Sequence, residues 1–235
     1  MMLKAACKPN NKKRIPPEIS RQDYVYNELK QMIADGVISK EERLVERQIS
    51  EALGLSRVPV REALLRLNAE GVLVSLPKGG FMVKRYTAKE IVELYQLRDA
   101  IESYSAKLAA EIGTQEDIQT CIGIHSKLES LRGTEQNYSE YDELFHRAIL
   151  KAGGNQRMSE IFDILHYQHV CLTIEDMGYG SETDFMDEVI ESHGCILDAI
   201  KRRDGDAAAI AMSEHINKAR KGFLNFMEGE SNEYL

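Results

Sequence analysis

Four side chains in the second half of the chain have types and spacing suited to metal chemistry. Asp142 and His146 are four residues apart, so on a helix they leave one face, which also carries Phe145, Ile149 and Leu150. His193 falls on the stripe of Val189, Ile196, Leu197 and Ile200, and His215 neighbours Ala208, Ala211, Met212 and Ala219. All four point toward an apolar interior. Taken singly, each histidine reads as a hydrogen-bonded core residue. Taken together, four inward polar groups need partners, and a divalent metal satisfies them at once. Imidazole with carboxylate suits zinc, with nickel or manganese as alternatives.

Arg98 lies among Ile91, Leu94, Tyr95 and Ile101, and has two readings. It pairs with an anion inside the fold, or it forms a salt bridge with Asp99 or Glu102. His125, His166 and His169 are further candidate ligands, and Phe162, Leu165, His169 and Leu172 share one face. Zinc held by histidines also activates water, so a metal-dependent hydrolase is the alternative function. Against it, the chain has no HExxH or nucleophile motif and no general base apart from the ligand set.

The elements that position these residues are helical. From Lys89 onward no strand pattern occurs, and turn signals at Gly113, Arg132-Gly133, Gly153-Gly154, Gly178 to Ser181 and Asp204-Gly205 divide the sequence into about six helices. Six helices of this size form one bundle.

A different chemistry lies upstream. In Val45 to Gly71, Ile49, Ala52 and Leu53 mark one short helix, and Val60, Ala63, Leu64 and Leu67 a second. Gly54 stops the first, Ser56 is placed to cap the second, and Pro59 sits in the first turn, where a missing N–H is tolerated. Two helices joined this tightly form a helix-turn-helix. Arg57 and Arg61, one turn apart on the second helix, are placed to reach phosphates or guanine in a major groove; the alternative is a pair of solvated charges. Val72 to Leu76 and Phe81 to Val83 are β-prone runs around the turn Pro77-Lys78-Gly79-Gly80, which adds a wing. Arg21 to Gly36, with Val25, Leu29, Met32 and Ile33, supplies the first helix, and Thr87 is placed to cap the helix after the wing.

Charge divides the same way. Residues 1–86 hold 16 Lys and Arg against 10 Asp and Glu, a net of +6, whereas residues 87–235 hold 14 against 28, a net of −14. A basic front on an acidic body is the asymmetry of a DNA-binding module carried by another domain. A winged helix used only as a protein-interaction module would give no reason for Arg57 and Arg61. Cys7, Cys121, Cys171 and Cys195 are far apart, without CxxC spacing, and read as reduced thiols. No apolar run reaches membrane length, and the basic N-terminus lacks the apolar core of a signal peptide, so a cytoplasmic protein is expected.

The stretch LSRVPVREALLRLNAEGVL with the wing KGGFMV resembles the DNA-binding domain of the GntR family of bacterial transcription regulators. The succession LYQLRDAIESYSAKLAA, YDELFHRAILKAGGN and a last helix from Gly-Asp-Ala to AMSEHINKA resembles the FCD-type ligand-sensing domain of the FadR subfamily. The resemblance implies a mostly α fold: a basic arm (1–19), a winged helix-turn-helix (20–86) and an all-helical effector-binding and dimerisation domain (87–235). It implies DNA contacts by Arg47, Arg57 and Arg61, with Lys78 and Gly79 at a wing tip in the minor groove. It further implies metal ligation by Asp142, His146, His193 and His215, and a carboxylate effector met by Arg98. The function it implies is a homodimeric repressor on an inverted-repeat operator, tuned by a small organic acid. The loop GVISKEERLVE departs from the family, which carries Pro-Gly there.

Overall fold

A computed structural model describes residues 16–132, 138–176 and 183–233. The expected basic arm lies, up to residue 15, outside the described residues. The chain divides into two compact units.

The first unit contains α1 (Arg21–Ala34), α2 (Glu46–Leu53), α3 (Arg57–Ala69), β1 (Leu73–Ser75) and β2 (Phe81–Val83). α1 starts at Ser20, whose side chain accepts from Asp23 N, and its buried face is Val25, Tyr26, Leu29 and Ile33. These pack with Ile49, Val60, Leu64, Leu67 and Leu73 into one core. Gly54 ends α2 in the left-handed region at φ 66°. Ser56 occupies the N-cap position of α3 with extended backbone, but its side chain makes no capping bond, contrary to the expectation. One of the two amides a cap can use is missing, because the third helical residue is Pro59, which has no N–H.

The two strands are antiparallel, with Leu73 opposite Val83 and Ser75 opposite Phe81. Leu44 adds a bridge to Phe81, with bonds in both directions (Leu44 N to Phe81 O, 2.7 Å; Phe81 N to Leu44 O, 2.9 Å). The divergent loop is thereby tied to the wing. Gly79 and Gly80 both turn at positive φ, 79° and 81°, which few residues with a side chain adopt.

The second unit is built from α4 (Ala88–Ile112), α5 (Gln115–Glu129), α6 (Tyr138–Ala152), α7 (Gln156–Asp176), α8 (Thr183–Lys201) and α9 (Gly205–Glu233). Among the described residues the helices break at the turn signals Gly113, Arg132, Gly153-Gly154 and Asp204; Gly133 and Gly178 to Ser181 lie outside the described residues. Tyr167–Asp176, the end of α7, group with the first unit. There the Tyr167 hydroxyl donates to Lys30 O and the Gln168 amide to Glu70 O, each at 2.6 Å. Thr87 and Thr114 start α4 and α5 with reciprocal capping boxes to Glu90 and Asp117. α4 packs mainly along α9, and α6 packs on both α4 and α5. The last helix does not end at AMSEHINKA but continues to Glu233. Among the described residues no helix is long and apolar enough to cross a membrane.

Candidate metal centre and nucleic-acid interface

Three helices bring three imidazoles to one point. His146 comes from α6, His193 from α8 and His215 from α9, and all are buried. The Nε2 atoms of His146 and His215 are 3.2 Å apart, and those of His193 and His215 are 3.4 Å apart. Ligand atoms of the three lie within 4.8 Å of one another. Asp142, one turn before His146, joins through His193: its Oδ1 is 3.5 Å from His193 Nε2, and its side chain is 28% exposed. The four residues singled out by spacing thus meet, with Asp142 at the edge.

The outer ring nitrogens explain why the inner ones converge. Ser192 Oγ donates to Val189 O at 2.7 Å, so the lone pairs of that oxygen face His215 Nδ1, 2.8 Å away. With the hydroxyl proton on Val189 O, Ser192 Oγ accepts from His215 Nδ1–H, the tautomer that presents a lone pair at Nε2. His146 Nδ1 lies 2.5 Å from Glu102 Oε2, and apart from this contact neither atom has a hydrogen-bond partner among the described residues. Burial, followed by the neighbouring imidazoles, pushes the pKa of His193 well below the ordinary value. Burial and then His146 act on His215 in the same direction. Nε2 lone pairs aimed at each other repel across 3.2 Å. A cation between them removes that repulsion, so this donor set fits a divalent metal.

Spacing names Glu102 only as a salt-bridge partner for Arg98 and gives no sign of its contact with His146; Ser192 carries no signal. Glu102 belongs to α4 and is wholly buried, with Arg98 Nε donating to its Oε1 at 2.8 Å. Burial alone would push the Glu102 carboxyl up. The Arg98 charge, with the contacts to Arg98 and His146, more than offsets this and holds it below the usual carboxylate range. Arg98 thus adopts the salt-bridge reading, in a buried rather than a surface setting. His125 bonds Ile190 O through Nε2 at 3.1 Å, and His166 stacks on Phe162 with Nε2 3.2 Å from Glu143. Neither they nor His169 belong to the metal-ligating group among the described residues.

On the first unit, Arg57 and Arg61 are exposed along α3, and Lys78 and Gly79 are exposed at the wing tip. Arg47 approaches Glu51 at 3.7 Å and Arg61 approaches Glu46 at 3.9 Å, both at the surface, where such pairs are weak and readily exchanged for phosphate. Arg43 donates to the carbonyls of Lys78 (2.6 Å, Nη2) and Gly79 (3.0 Å, Nε). No local sequence signal marks it, because its partners are distant along the chain.

A winged helix ahead of a helical bundle with a histidine centre matches two family models. One, the FCD domain, covers residues 93–218, and the other, bacterial regulatory proteins of the gntR family, covers residues 21–83. The chain belongs to the gntR family and carries an FCD domain. It is a transcription regulator, not an enzyme, which sets the hydrolase alternative aside. It is 26% identical to the HTH-type transcriptional regulator YdhC of Bacillus subtilis, over 82% of this chain and 86% of that protein. It is 25% identical to the HTH-type transcriptional repressor RspR of Escherichia coli, over 83% and 85%. The solved structure of McbR/YncC from E. coli shares the fold, with a TM-score of 0.76 at 23% identity, covering 88% of this gntR-family chain and 98% of its own.

Proposed function

We propose that this regulator is a cytoplasmic repressor that binds an inverted-repeat operator as a homodimer and is tuned by a small carboxylate-bearing effector at a metal in its bundle. The reading divides the chain at residue 86, with DNA contact from residues 20–86 and effector binding and dimerisation from residues 87–235. One observation carries the metal: the convergence of the His146, His193 and His215 Nε2 atoms, with their outer nitrogens turned away. Asp142 and the three histidines would hold zinc, or else nickel or manganese. The bound ion would supply a Lewis-acid position open to water or a carboxylate. Arg98, one helix away, would meet the same carboxylate through its terminal nitrogens.

Arg57 and Arg61 would reach the major groove, Arg47 the backbone, and Lys78 with Gly79 the minor groove. A two-fold operator requires two winged domains at fixed separation, which a dimer provides. RspR, a relative named as a repressor, supports that direction of control. Elemental analysis of the purified chain, with operator binding measured before and after organic acids are added, tests the reading. About one metal per chain and an acid-dependent change in affinity are expected. A chain without metal and indifferent to every acid would overturn it.

A further inference from the structure

We infer that Glu102, backed by Arg98, is a positioning residue that sets His146 to receive the metal. The inference rests on the proposed metal centre and deepens it. A wholly buried carboxylate needs a partner, and Arg98 alone would provide one. Yet Arg98 engages only Oε1 through Nε, and Oε2 is turned to His146 Nδ1 at 2.5 Å. A carboxylate accepts and cannot donate, so it draws the imidazole proton to Nδ1 and leaves the lone pair on Nε2, toward His215 and His193. Ser192 favours the same tautomer of His215 when its own proton goes to Val189 O. His193 Nδ1 has no hydrogen-bond partner among the described residues, so the fixed pair is His146 and His215. Glu102 also joins α4 to a centre otherwise built from α6, α8 and α9.

The test uses the full chain, with zinc as probe and a chromogenic chelator as competitor. Glu102→Gln should weaken zinc about 10–100-fold at unchanged stoichiometry. If that variant does not fold, Arg98→Leu combined with Glu102→Leu decides, since it leaves no unpaired buried charge. Nitrogen-15 spectra of the metal-free protein give an independent readout. His146 should carry its proton on Nδ1 in the wild type, and as a mixture of tautomers in the variant. A merely structural Arg98–Glu102 pair would lower the melting temperature and leave zinc affinity and tautomer alone. Wild-type affinity in a folded variant, or a wild-type His146 protonated on Nε2, overturns the inference. A wild-type chain that takes up no zinc overturns the metal centre and the inference with it.

Discussion

Arg43 donates through Nη2 to the carbonyl oxygen of Lys78 at 2.6 Å, across 35 positions of sequence, and this bond shapes the tip of the wing. With the second bond to Gly79 O, it fixes two successive peptide planes that would otherwise turn freely at the glycines. We expect Arg43→Ala to weaken operator binding by about 1 kcal/mol, roughly fivefold, as exposed bonds of this kind allow. Fluorescence anisotropy on an operator fragment measures it. Unchanged affinity would mean that the wing keeps its shape unaided.

Arg61 and Arg47 should behave differently on DNA. Arg61→Ala should cost about 1–3 kcal/mol on the best operator and relax the preference at one position, if the guanidinium grips a base. Arg47→Ala and Lys78→Ala should weaken all sequences alike and lower the slope of affinity against salt. Titrations on specific and scrambled duplexes at several salt concentrations separate the two patterns.

The histidines differ in consequence from the arginines. His193→Ala or His215→Ala should lower the metal content and remove the response to an organic acid. The coupling at stake is about 1–3 kcal/mol, or roughly 5–150-fold in operator affinity. Metal lost with the response intact would make the ion structural. Full occupancy by elemental analysis in either variant would remove that histidine from the ligand set.

Removing Arg98 tests stability as much as effector binding. The Glu102 carboxylate is 0% exposed, so Arg98→Ala leaves a buried charge with a single partner, His146. Breaking such a pair typically costs about 3–5 kcal/mol. A thermal melt should show a clear loss, larger than for the double leucine variant. Equal melting temperatures would show that water reaches Glu102.

The cysteines give a check on the bundle. Cys121 is buried and Cys195 exposed. Burial, then the nearby Asp117 charge, pushes the Cys121 thiol up to about 11. At about pH 8 an alkylating reagent should label Cys195 and spare Cys121 until the protein is unfolded, as peptide mass mapping would report.

Much of this is legible from residue order. Apolar spacing and turn residues locate the helices, and the stripe positions of His146, His193 and His215 place all three in the interior. Ser56 misleads as a cap, although Pro59, three residues on, removes one of the two amides a cap can use. The end of α9 escapes because the helix runs on through Gly222, which residue order alone does not distinguish from a stop. Arg43, Ser192 and the contact of Glu102 with His146 are illegible for another reason. Their roles depend on a carbonyl or imidazole brought close by folding, and side-chain type alone says nothing about which remote atom it will meet.

One corner of the bundle carries two opposed demands on a single position. Arg203, between α8 and α9, has φ 61°, and its guanidinium donates to Gly113 O (2.5 Å) and Ala110 O (3.3 Å) at the end of α4. Glycine would suit that backbone but forfeits both bonds, and alanine fits neither requirement. Drift at this corner is therefore confined: the route to a relaxed backbone passes through a helix end with nothing to close it.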